Sequence, residues 1–198
     1  MKKLFITFLI MVLLVSASAN VFASDNHELQ DIVLGESVVI INEQFEIERA
    51  EQIEQIERYY EGIGERSVFV DFRTVWGSTR RVTVAGFAGN QDARGTRFTT
   101  GGSFFHSAAG GPSASVSVSF GAPFASVSIS SNLGNAAGSG FIVNVPDRVN
   151  FFKLHVAREY EITPFRTYGI HAVTGQWIIQ SEGTRRTHIR TTLSAVRV

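Results

Sequence analysis

The stretch SASVSVSFGAPFASVSISS, residues 113–131, sets serine against an apolar neighbour twice over, with Gly121, Ala122 and Pro123 between the halves. On a strand, successive side chains point to opposite faces. Ser113, Ser115, Ser117 and Ser119 therefore share one side, and Ala114, Val116, Val118 and Phe120 the other. The second half repeats the pattern, with Ser126, Ser128 and Ser130 against Ala125, Val127 and Ile129. The stretch reads as a two-stranded hairpin with a hydroxyl face and a hydrocarbon face. It lies in a longer neutral interval: no charged residue occurs between Arg97 and Asp147, and His106 is the one titratable side chain there.

Three settings account for such a ribbon. In a sandwich, the apolar side enters the core and the serines meet water, which explains the alternation but leaves the missing charges unexplained. In a membrane, a closed barrel shows hydrocarbon to lipid and small hydroxyls to a wet lumen, and a lipid-facing Arg or Lys at mid-bilayer costs about 2–4 kcal/mol. The two runs are somewhat shorter than the roughly 9–11 residues that span a bilayer as a strand. Phe104-Phe105 and Ile142-Val143 stand on either side to lengthen or anchor them. In composition and periodicity the hairpin resembles the insertion segments of β-pore-forming toxins. That resemblance implies an oligomeric barrel; whether it enters a membrane or pairs with another chain, the hairpin would act through Val116, Val118, Phe120, Phe124, Val127 and Ile129. The third setting is self-association, because a flat, uncharged strand with high β-propensity invites another chain to pair with it. Glycines at 101, 102, 110, 111, 134, 138 and 140 flank the ribbon and loosen the chain around it.

Outward from the hairpin the two-residue period continues. RSVFVDFRTVW from Arg66, then TRRVTVAGF, TRFTTGGSFF, GFIVNV, VNFFKLHVAREYEI, YGIHAV, QWIIQS and THIRTTLSAVRV are bounded by Gly, Asn and Pro. This predicts a mainly β protein, an antiparallel sandwich or elongated sheet of roughly eight to ten strands. Ahead of it, residues 43–61 (EQFEIERAEQIEQIERYYE) place Phe45, Ile47, Ala50, Ile53, Ile56 and Tyr60 at helical spacings among Glu and Gln. That predicts one acidic amphipathic helix, ended by Gly62 and Gly64. Residues 37–41 (SVVII) fit a short strand or the approach to the helix.

At the N-terminus, Lys2-Lys3, an apolar run over residues 4–15 and small residues up to Ala23 have the form of a secretory signal. The run is shorter than the roughly 18–20 residues of a membrane-spanning helix. The chain has no cysteine, which excludes disulfides, thiol nucleophiles and thiolate metal sites. Between Ser24 and Glu65 there are twelve acids and two arginines, whereas from Arg66 onward thirteen arginines and Lys153 face six acids. The expected organisation is a signal peptide at 1–23, an acidic leader with the helix at 24–65, and a basic β domain at 66–198. The leader also fits a removable pro-segment, with the loop at 62–66 as its cutting site.

No nucleophile elbow, HExxH, phosphate loop or dinucleotide fingerprint occurs. His155 and Glu159 fall on one side of a predicted strand, with Glu161 beyond and His171 and His188 on later strands. Unbroken alternation in the last strand puts Arg186, His188, Arg190 and Thr192 on one face, beside Arg185, a cationic row suited to polyanions. Arg80, Arg81 and Arg166 are candidates to extend it. The preferred expectation is a secreted, extracellular, non-enzymatic protein that binds an anionic envelope polymer or lipid surface through Arg185, Arg186, His188 and Arg190. It self-assembles as a homo-oligomer through the hairpin, with no cofactor, metal or nucleic acid. The alternative is a membrane-active, pore-forming or bacteriocin-like protein that inserts residues 113–131. The third is an exported hydrolase using His155 or His171 with Glu159.

Overall fold

The computed structural model describes residues 34–61 and 68–198, so the expected signal segment and the expected cutting site at 62–66 lie outside the described residues. Among the described residues the protein is mainly β, with ten strands in antiparallel sheets and one helix. Its spine is a hairpin of two unusually long strands, β9 (Phe152–His171) and β10 (Trp177–Arg197), paired along almost their whole length. β1 (Leu34–Ile41) pairs with the lower part of β10. On the other side of β9, β2 (Phe69–Trp76) pairs with the upper part and β3 (Arg80–Phe87) with the lower. Residues 37–41 thus form a strand of the main sheet, ahead of the helix.

The helix α1 (Phe45–Glu61) lies against the back of this sheet. Its first turn is tied down by Asn42, whose side chain accepts from the Gln44 N–H and donates to Glu48 and to the His188 carbonyl. Ile47 and Ala50, part of the expected apolar stripe, are exposed. The helix meets the sheet largely through polar groups: Gln52 accepts from Thr187, and Arg49 stands 3.9 Å from Glu161. Beneath it Arg185 is almost fully buried, donating to Glu161 at 2.7 Å, Thr163 at 2.7 Å and Thr187 at 3.2 Å.

The front of the sheet is apolar and covered by residues 88–151. β4 (Ser103–Ser107), β7 (Asn135–Ala137) and β8 (Phe141–Asn144) form a small sheet in the order β7-β4-β8. Its Phe104 and Val143 pack with Leu154, Val156, Leu193, Ala195 and Val38. β5 (Ser113–Val118) and β6 (Val127–Asn132) form the predicted hairpin, and its Val118 and Ile129 pack with Val84, Tyr160 and Ile162. The expected choice between sandwich and elongated sheet resolves as an elongated sheet with a shorter second layer on one face.

Removing one partner of a buried ion pair leaves an uncompensated charge and costs about 3–5 kcal/mol, whereas replacing both partners by hydrocarbon is often neutral. Glu161→Gln is therefore expected to lower unfolding free energy by about that amount, and Arg185→Met with Glu161→Leu to recover most of it. Urea denaturation of the variants measures both.

Candidate functional site

The hairpin keeps the two faces that its sequence predicts. Ser115 pairs with Ser130 and Ser117 with Ser128, while Val116 pairs with Ile129 and Val118 with Val127. All four of these serines are exposed; Val118 and Ile129 are buried, and Val116, Val127 and Phe120 half-buried against the sheet. The hydroxyl face is thus wet, and the hydrocarbon face lies on β3 and β9. The charge-free face therefore has no covering layer within the described residues.

The turn is held by aromatics under arginines. Phe120 lies beneath the Arg80 guanidinium at 5.8 Å, and Phe124 beneath Arg166 at 5.7 Å. Two polar ties hold the base of β6: the Ser131 hydroxyl meets the Tyr160 hydroxyl at 2.6 Å, and Arg186 donates to the Ser130 carbonyl at 2.8 Å. Arg186 also stacks 3.9 Å over the Tyr160 ring.

The cationic row expected in the last strand does not form. A β-bulge between His188 and Arg190 shifts the alternation by one residue, and a one-residue shift sends every later side chain to the opposite face. Arg186 and His188 face the hairpin side, where His188 packs edge-on to Tyr160 and bonds Thr191. Arg185 and Arg190 point to the back, paired with Glu161 and Glu159. Arg166 is paired with Glu182. These cations hold the protein's own surfaces together.

The histidines are not gathered either. His155 and Glu159 do share the back face of β9, but His155 packs edge-on to Phe87 and Glu159 is engaged by Arg190. His171 caps the β9–β10 turn at the far end of the strand, its Nδ1 accepting from the N–H groups of Val173 and Thr174. A cavity of about 470 Å³ between α1 and the sheet, lined by Arg49, Trp76, Glu161 and Arg185, contains no histidine. Among the described residues no three His, Asp or Glu side chains converge as a metal site.

What the sequence reading missed is the relation of the hairpin to the rest of residues 88–151. Halfway between the partners Arg80 and Ile162 of the β3–β9 ladder lies Gly121. Halfway between Ser103 and Asn144 of β4–β8 lie Pro123 and Phe124, and halfway between Ser113 and Asn132 of β5–β6 lie Ala122 and Pro123. Three ladders are thus nested about one turn, and Ala122 is also the midpoint of the uncharged interval 98–146. Residues 80–162 are one long antiparallel hairpin, folded back so that its tip lies on its own base.

The fold-back occurs where both legs carry glycine. Gly110 and Gly111 have φ of 67° and 88°, and Gly134 opposite has φ of 72°. A Cβ on Gly111 would lie 1.9 Å from the Gly134 carbonyl oxygen, so the legs cross at a distance that excludes a side chain. Alternation survives the bend. Phe104 and His106 of β4 face inward, as do Ala114, Val116 and Val118 of β5, so the even positions of the first leg form one face. On the second leg the odd positions Val127, Ile129, Leu133, Phe141 and Val143 do the same, except in β7, where the even Ala136 lies opposite His106 on the inner face. Phe105, Ala137 and Ile142 are apolar exceptions on the hydroxyl face, and His106 and Ser131 are polar exceptions on the other.

His106 is 2 % exposed. Its Nε2 lies 3.0 Å from the Leu133 carbonyl, which only accepts, so Nε2 carries the proton, while the buried Nδ1 has no partner. Burial is the main force holding this imidazole below the usual histidine range; the bond to Leu133 opposes it, and the Arg158 guanidinium adds to it. Burial likewise lowers His155, and burial with Arg158 lowers His188. No family model, curated protein or solved structure matches the chain.

A histidine held neutral by the fold takes up its proton more readily in the unfolded chain, so its contribution to stability is complete above about pH 6.5 and declines as pH falls below it. The thermal unfolding midpoint is expected to drop between pH 7.5 and pH 5. The drop should be smaller in His106→Gln, whose amide can still donate to Leu133. Calorimetry of both proteins at the two pH values checks this.

Proposed function

We propose that this is an exported, membrane-active protein whose residues 88–151 unroll from the sheet and extend the β3–β9 pair into a bilayer-spanning hairpin of an oligomeric β-barrel. The observation that carries this reading is the nesting of three ladders and one uncharged interval about the same turn. Unrolling opens the glycine bends and detaches β7 from β4, but it leaves the β3–β9 and β5–β6 pairings as they are.

The energetics favour a membrane as the acceptor. Exposing a buried Val or Ile to water costs roughly 1.5–3 kcal/mol, so in water the hairpin stays on the sheet. Exposing the same side chains to lipid tails carries no such cost, because the tails are as apolar as the core, whereas the sheet front uncovered by the movement requires new cover at the bilayer surface or within the oligomer. The serines keep water on the other side in both states, facing solvent in one and the lumen in the other. Each leg of the uncharged interval, twenty-four residues from Phe98 to Gly121 and from Pro123 to Pro146, extends to about 80 Å, ample for a hydrocarbon core of about 30 Å. The charges of the excursion, Asp92, Arg94 and Arg97 on one leg and Asp147 and Arg148 on the other, stand at matching distances from the turn. On extension they meet outside the bilayer.

The chain's lack of cysteine allows a direct test of movement. A Cβ added at Gly86 lies 4.0 Å from the Ala114 Cβ, within the span of a disulfide, and its closest neighbour is the terminal Leu133 Cδ1, which can turn aside. Gly86→Cys with Ala114→Cys staples β5 to β3. Dye release from phosphatidylcholine–phosphatidylglycerol vesicles is expected for the wild type and the reduced variant, and a loss of at least about tenfold, an activation difference of about 1.4 kcal/mol, for the oxidised one. Equal release from oxidised and reduced protein, or none from any form, overturns the proposal.

A further inference from the structure

An oligomeric barrel requires copies of the chain to join side by side, and the main sheet has two edges at which they can. Among the described residues β1 pairs only with β10 and β3 only with β9, so each leaves one row of backbone N–H and C=O groups without a strand partner. The two edges stand at the same height. The register runs straight across four strands through Val39, Thr192, Ala157 and Ala85, and the residues on either side, from Ser37 to Ile41, align in the same way with β3 between Phe87 and Thr83.

Their polarity also matches. β1 runs antiparallel to β10 and so in the direction of β9, while β3 runs against β9. When two copies stand upright side by side, β3 of one meets β1 of the other antiparallel. Exposed sheet edges are usually guarded by charge, Pro or a bulge that discourages pairing. Here the two facing segments read SVVII over 37–41 and TVAGF over 83–87, without a charge or a proline.

We propose that β1 of each copy pairs antiparallel with β3 of the next, a heterologous contact that closes into a ring of sheets from whose lower rim the unrolled hairpins descend. The inference rests on the membrane reading for its purpose and on strand geometry for its content. Four strands per copy in the ring and two per copy below it make a funnel. The stretches between Phe87 and Phe98 and between Pro146 and Phe152, which carry all five charges of the excursion, bridge that step.

Cysteine pairs test the contact against a cysteine-free background. Val39→Cys is combined in turn with Thr83→Cys, Ala85→Cys and Phe87→Cys, three positions on the same face that cover the stagger of a tilted ring. Ile41→Cys, from an exposed site, repeats the scan. After mild oxidation on phosphatidylcholine–phosphatidylglycerol vesicles, at least one double variant is expected to give a ladder of linked species above the dimer on a non-reducing gel. Each single variant should give none above the dimer. Absence of a ladder from every double variant overturns the edge pairing. Dye release from the same samples under reduction separates the two ideas. Release without a ladder removes the edge pairing and keeps the unrolling; a ladder without release keeps the edge pairing and removes the membrane reading.

Discussion

The front of the long β9–β10 sheet is hydrocarbon that water cannot be allowed to reach, and the chain covers it with the continuation of its own strands. Phe152, Leu154, Val156 and Ile162 are fully buried only because residues 88–151 double back over them. The cover and the covered surface belong to one hairpin. Each therefore has an apolar side that needs a partner, and in the monomer each is the other's partner. A single requirement accounts for the alternating serines, the paired glycine bends and the wet outer face.

Charge is used sparingly and locally in this arrangement. Arg80, Arg166 and Arg186 fasten the folded-back layer through rings and a carbonyl. Arg185 and Arg190 are spent on Glu161 and Glu159 at the back of the sheet. Such cation–π contacts contribute about 0.5–1 kcal/mol each when exposed, less than the burial of one aliphatic side chain. The layer is thus held mostly by hydrocarbon contact, which is strong against water and nearly neutral against oil, and its polar ties are few.

Much of the architecture was legible in the sequence. The period of two, the hairpin at 113–131 with its two faces, and the helix within 43–61 follow from patterns that local geometry imposes on any chain. The arginine face was not legible, because one bulge after His188 reverses the inside and outside of every later position, and a bulge leaves no mark in an alternating Thr/Arg run. The integration of residues 37–41 into the main sheet was equally hidden, since a five-residue apolar run fits more than one setting. The nesting of the ladders was recoverable in principle. Gly110–Gly111 and Gly134 lie at nearly equal distances from Ala122, and Asp92–Arg97 and Asp147–Arg148 mark the ends of the neutral interval. Reading that symmetry needed the idea that the uncharged interval was a single object.

The nearly common centre of the β4–β8 and β5–β6 ladders also governs how this chain can change in length. An insertion or deletion on one leg displaces every pairing between it and the turn, and an odd one exchanges the two faces as well. Only a matched change at the mirror position about Ala122 restores both. Descendants of this sequence should therefore lengthen or shorten the neutral interval in coupled, even steps on its two sides, a bookkeeping of paired indels that an ordinary surface loop of the same size would never show.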